Sequence, residues 1–77
     1  MGIIENLESP NFKVTKSDKI LIEYIKNNIE DVFYKPISQI AKESNIGEAT
    51  ITRFSKKMGF NGLQDFKVTL AQEISSL

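Results

Sequence analysis

Apolar residues recur along this chain at steps of three and four, and no segment alternates apolar with polar at every second position. That periodicity belongs to helices with one buried face. Ile3, Ile4 and Leu7 form a first short stripe. Ser9 and Pro10 close it, because the residue before a proline is steered out of helical geometry. Thr15 starts a helix expected over 16–28, since its hydroxyl can accept from the N–H of residue 17 or 18 and Asp18 complements the positive helix end. Ile20, Leu21, Tyr24 and Ile25 make the expected buried face of that helix. Ile29, Val32 and Phe33 add a further turn of apolar contacts after Asn27 and Asn28 break the pattern. Two short helices follow, over 37–44 and 48–58, with Pro36 opening the first. A last helix is expected over 62–75 with Asn61 as its cap, and Leu63, Phe66, Leu70, Ile74 and Leu77 give it one continuous stripe. The fold class is all-α: a small helical bundle of about five helices, forming one domain over 1–77 with 1–14 as a short N-terminal helix or arm.

The segment 36–59, PISQIAKESNIGEATITRFSKKMG, fits a helix-turn-helix of the homeodomain-like kind position by position. Ile40 supplies a buried anchor, and Ala41 is small where the two helices cross. Asn45 falls in the turn, where a residue tolerant of positive φ is needed, and Ile46 plugs the turn into the core. Gly47 is a permissive N-cap for the second helix, and Gly59 stops it as a left-handed residue would. Ile51, Phe54 and Met58 face inward. Such an arrangement holds a helix in the DNA major groove.

Composition narrows the alternatives. Seventy-seven residues make one small domain, and 40% apolar content is enough to fold it. Cysteine and histidine are both absent. Disulfides, a zinc finger and the commonest nucleophile–base pairs are thereby excluded, so no enzyme, no metal and no cofactor are expected. No apolar run reaches membrane-span length and no secretory leader is visible, so a cytoplasmic protein with no membrane partner is expected. Ten acids and ten bases cancel, which argues against a nonspecific nucleic-acid coat. Their distribution is uneven, because Arg53, Lys56 and Lys57 fall within five residues.

With Ile51, Phe54 and Met58 inward, the opposite face of 48–58 presents Glu48, Ala49, Thr52, Arg53 and Lys56, with Thr50 and Lys57 at its edges. Arg53 suits guanine, whose O6 and N7 match its fork. Ala49 and the methyls of Thr50 and Thr52 can touch a thymine methyl, and either threonine can donate to a phosphate. Glu48 fits two roles equally, as acceptor from cytosine N4 or as a first-turn acid facing the helix dipole. Lys56 and Lys57 are expected at phosphates. Ser38 and Gln39, in the first turn of 37–44, could meet another phosphate with the backbone N–H groups there. Lys35 reads as an ordinary surface residue, Phe60 as a lock between the last two helices, and Tyr34 as packed or half-exposed.

The run EATITRFSKKMGFNGLQDFKVTLAQEI resembles the amino-terminal domain of RpiR-type bacterial transcriptional regulators, whose motif is close to S-x-A-T-V-x-R-F-x-x-x-L-G-F-x-G-(F/L)-x-(D/E)-(F/L)-K. Here it stands as Gly47, Ala49, Thr50, Ile51, Arg53, Phe54, Met58, Gly59, Phe60, Gly62, Leu63, Asp65, Phe66 and Lys67. With the upstream VTKSDKILIEYIKNN, the resemblance spans roughly 14–75. Gly47 departs from the family's serine, which weakens the cap and removes a phosphate donor. The resemblance implies double-stranded DNA as partner, control of sugar-metabolism genes, and a phosphosugar effector bound by a C-terminal domain absent from this chain. A homodimer is expected, joined through Ile3, Ile4 and Leu7 at one end and Ile74 and Leu77 at the other, unless both ends fold back on their own subunit. The competing function is a protein-interaction or dimerisation module that keeps the helix-turn-helix shape without meeting DNA.

Overall fold

A computed structural model describes residues 2–76. Five helices form along them: α1 (Ile3–Glu8), α2 (Lys16–Asn27), α3 (Ile37–Ser44), α4 (Glu48–Lys57) and α5 (Leu63–Ser75). A single 3-10 turn, Val32–Tyr34, links α2 to α3. No strand occurs among the described residues.

Several helix ends have a local cause. Thr15 and Asp18 form a reciprocal capping box, in which Thr15 Oγ1 accepts from the Asp18 N–H at 3.1 Å and Asp18 Oδ2 accepts from the Thr15 N–H at 2.9 Å. Asn45 ends α3 in the left-handed region at φ 60°, and the Ile46 N–H returns to the Ala41 carbonyl at 3.2 Å. Gly59 ends α4 at φ 99°, with its own N–H on Lys56 O and the Phe60 N–H on Ser55 O, both at 3.0 Å. That pair of bonds is a Schellman motif. Gly62, not Asn61, caps α5; the Asn61 N–H instead donates to Asp65 Oδ2 at 3.0 Å.

Aromatic rings centre the core. Phe54 meets Phe12 and Phe66 edge-to-face at 6.3 and 6.2 Å, and Phe60 meets Phe66 at 5.6 Å. Leu21, Ile25, Val32, Ile40, Ile51 and Leu70 pack around them, all buried. Phe60 sits half-buried on this core, as the sequence indicates.

Several expectations change. Ile20 is exposed and Ile22 is buried, so the apolar face of α2, centred on Leu21, Ile22 and Ile25, is turned by about a residue from the expected one. Phe33 and Tyr34 are both exposed. Of the two readings of the N-terminal segment, the described residues 2–14 show the short helix and not an unpartnered arm. Ile3 and Leu7 are buried in the subunit's own core with α1 lying on α5, and the Glu73 carboxylate accepts from the N–H of Ile3 at 2.7 Å and of Ile4 at 2.9 Å. Of the surface expected to join two copies, those two residues are therefore already covered, Ile4 and Ile74 are half-buried, and Leu77 lies outside the described residues.

Phe54→Ala should cost about 3–5 kcal/mol, because it empties the point where three rings meet. In a domain this small that approaches the whole stability. Denaturant unfolding followed by circular dichroism measures it, and an unchanged midpoint would contradict the central place given to this ring.

Candidate nucleic-acid interface

The turn between α3 and α4 is three residues long, Asn45, Ile46 and Gly47. Left-handed Asn45 reverses the chain and buried Ile46 pins the reversal to the core. From there α4 divides cleanly. Ile51, Phe54 and Met58 are buried, and so is Ser55, whose hydroxyl donates to Ile51 O at 3.1 Å. On the opposite side Glu48, Ala49, Arg53, Lys56 and Lys57 are exposed, while Thr50 and Thr52 are half-buried at its margins. The sequence-derived face of α4 is thus brought together on one surface.

Arg53 is not loose on that surface. Its Nη2 donates to Thr50 Oγ1 one turn earlier, at 3.0 Å. Lys57 is engaged differently. Its Nζ lies 2.8 Å from Asp18 Oδ2 and 5.8 Å from the Phe12 ring centroid. Asp18 itself is buried, yet it keeps a lowered pKa. Burial alone would raise its carboxyl, but hydrogen bonds from Lys57 and from Thr15 favour the anion more. Lys57 therefore ties the end of α4 to the start of α2. Pattern reasoning places it at the margin of the reading face but cannot see its partner, because the two residues are 39 positions apart.

Ser38 and Gln39 are exposed in the first turn of α3, on a different element from the α4 cluster. Pro36 offers no side-chain cap there. Gln39 Nε2 donates to Glu43 Oε2 at 2.8 Å. The other oxygen of Glu43 accepts from Lys35 Nζ at 2.8 Å and from the Tyr24 hydroxyl at 2.6 Å. The Lys35 ammonium, then the Tyr24 and Gln39 donors, hold the Glu43 carboxyl down to about 2. Lys35 is thus a structural tie that joins α2, the linker and α3. Its carbonyl also accepts from the Lys67 ammonium, whose burial in α5 pushes its pKa down. Glu43 carries no pattern signal of its own, since it matches an ordinary solvated position of an amphipathic helix, whereas Lys67 falls within the apolar stripe of α5, four residues after Leu63 and three before Leu70.

Comparison with known proteins agrees with this geometry. The family model described as "Helix-turn-helix domain, rpiR family" matches residues 1–77. The chain is 70% identical to an uncharacterized HTH-type transcriptional regulator of Clostridium perfringens, over 99% of this chain and 27% of that protein. It is 30% identical to the HTH-type transcriptional regulator HexR of Escherichia coli, over 99% of this chain and 26% of that protein. Among solved structures, the Vibrio vulnificus NanR protein complexed with ManNAc-6P superposes with a TM-score of 0.92 at 29% identity, covering 97% of this chain and 28% of that one. The chain spans about a quarter of the length of the curated relatives it matches.

The two neighbouring lysines should separate in their effect on stability. Lys57→Ala leaves the buried Asp18 carboxylate without its cation and should cost about 1–3 kcal/mol, the lower part of the range for a stranded charge because Lys57 is itself partly exposed. Lys56→Ala should stay within about 0.5 kcal/mol. Thermal unfolding of the two variants side by side decides it; equal midpoints would mean that the tie carries nothing.

Proposed function

The chain belongs to the helix-turn-helix domains of the rpiR family, and from that premise we infer that it binds duplex DNA with α4 seated in the major groove. The observation that carries this reading is the division of α4. Its inner face is wholly committed to the core, and its outer face gathers Arg53, Lys56, Thr50, Thr52 and Ala49 at the surface. In the proposed complex Arg53 reads a guanine, Ala49 and Thr52 lie against thymine methyls, and Lys56 meets a phosphate. Ser38 and Gln39 approach a second phosphate at the start of α3. Glu48 acts as a first-turn acid or as an acceptor from cytosine. Lys57 contributes to a phosphate contact only with the hydrogens that Asp18 leaves unused.

The role is regulatory rather than catalytic, and its setting is the cytoplasm, where a bacterial regulator meets its DNA. Among the described residues no helix is long and apolar enough to cross a membrane. Control of sugar-metabolism genes is supported by the likeness to NanR, which was captured with ManNAc-6P, a phosphorylated sugar. A phosphosugar effector would act through a further domain of a longer protein, in keeping with relatives nearly four times this length.

Binding to duplexes selected from a random library tests the reading face. Arg53→Ala should weaken binding to the selected sequence by about 1–3 kcal/mol and relax the choice of base at one position. Lys56→Ala should weaken binding to every sequence alike and make the salt slope shallower by about one. Affinity indifferent to salt and to both substitutions would favour an interaction module instead.

We also propose that two copies occupy one operator. An α4 of 10 residues is about 15 Å long and reaches only a few base pairs, so paired half-sites one turn apart would supply the rest. Sedimentation of the chain with a selected duplex should give two copies per duplex. One copy at every concentration would leave pairing to other parts of a longer protein.

A further inference from the structure

We propose that Thr50 is a positioning residue for Arg53. Its hydroxyl holds the guanidinium, turned toward the N-terminal end of α4, so that one complete two-donor edge of the fork is presented to guanine. The inference deepens the reading of α4 as the groove-entering helix and rests on it.

Thr50 and Arg53 are three residues apart and so neighbours on the helix surface. The bond from Arg53 Nη2 to Thr50 Oγ1, at 3.0 Å, fixes where the long side chain ends. Side chains of a helix already lean toward its N-terminus. With the bond made, the guanidinium lies beside residue 50, about 4.5 Å along the axis from the level of its own Cα. Base edges are read by the N-terminal part of such a helix. Arg53 is the sixth residue of α4, and the bond carries its charged end forward into that part.

Donor counting agrees. A guanidinium has five N–H groups, two of them on Nη2. One edge of the fork pairs an Nη2 hydrogen with Nε–H, and the other pairs the second Nη2 hydrogen with Nη1. A single bond from Nη2 to Thr50 occupies one edge and leaves the other whole. Guanine needs one whole edge, for O6 and N7 together. Thr50, acting as acceptor, keeps its own hydroxyl hydrogen for a phosphate or a water.

The bond does little for the fold, since it lies at the surface where water competes for both partners. What it restrains is an arginine that is otherwise rich in rotamers, and a side chain ordered before binding loses less freedom on binding.

Libraries of randomised duplex, selected with the wild-type chain and with Arg53→Ala, identify the base position that Arg53 reads. Affinities for the wild-type selected duplex and for its guanine-to-adenine version at that position are then measured for Thr50→Val, which keeps the shape and removes the hydroxyl, and for Thr50→Ser, which restores it. Thr50→Val should cut the guanine preference about two- to tenfold. Thr50→Ser should keep most of it, and Thr50→Val combined with Arg53→Ala should match Arg53→Ala alone. Two results would overturn the proposal: an unchanged guanine preference in Thr50→Val, even if affinity for all sequences falls as for a plain phosphate contact, or full additivity in the double variant. If Arg53→Ala altered no position, the reading of α4 would fall together with it.

Discussion

What this domain can touch is decided by the rotation of α4 about its own axis, and Phe54 sets that rotation from beneath. Its ring is buried edge-on between Phe12, from the segment before α2, and Phe66 of α5. Ile51 and Met58, one turn to either side, are buried with it. Turning α4 by one residue, about 100°, would carry Phe54 toward water and drive a polar neighbour into apolar surroundings with no partner waiting. The ends are pinned as well, by left-handed Asn45 ahead of the helix and left-handed Gly59 behind it. Arg53, Lys56 and Ala49 face outward because the inner positions are already taken.

Charge is used sparingly on this surface. The chain has no net charge, and of the three cations clustered on α4 one is already answered by Asp18. A partly exposed pair of that kind adds little attraction for phosphate, and Lys57 serves first to join α4 to α2. Glu43 is similarly consumed, between Lys35, Tyr24 and Gln39. A surface with few uncommitted cations binds DNA weakly as a bulk polyanion. Discrimination of the kind proposed for α4 would then depend on how well a small number of side chains are placed, and the bond between Thr50 and Arg53 restrains one of them.

Periodicity and turn chemistry made most of the fold legible. Steps of three and four gave the helices, while Asn45 and Gly59 gave the ends of α3 and α4 through a left-handed backbone that few residues adopt. The outward face of α4 followed from its inward one. What escaped were relations between distant segments. Ile22 is buried in place of Ile20, because the packing of α2 on α3 and α4 selects which side of its apolar stripe faces the core. Asp18 and Lys57 each have a local reading, as helix-start acid and as surface base, and only the packing of α2 on α4 turns them into a pair. Which side-chain contacts DNA makes is a property of the complex, and periodicity can narrow it only to a face.

α1 shows how far a tertiary contact can rescue a locally weak element. Six residues are too few for an isolated helix in water. Glu73, on the last turns of α5, takes two N–H groups from the first turn of α1 and sets a negative charge at its positive end. Gly2 matters at that contact, because a Cβ there would collide with the Glu73 carboxylate. The carboxylate fixes the start of α1, and Ile3 and Leu7 then bury its length. α1 is therefore spent inside its own subunit. Among the described residues the large apolar side chains still exposed are Ile20, Phe33, Tyr34 and Val68, so any pairing of copies that left α1 in place would have those, and not the buried stripe, to work with.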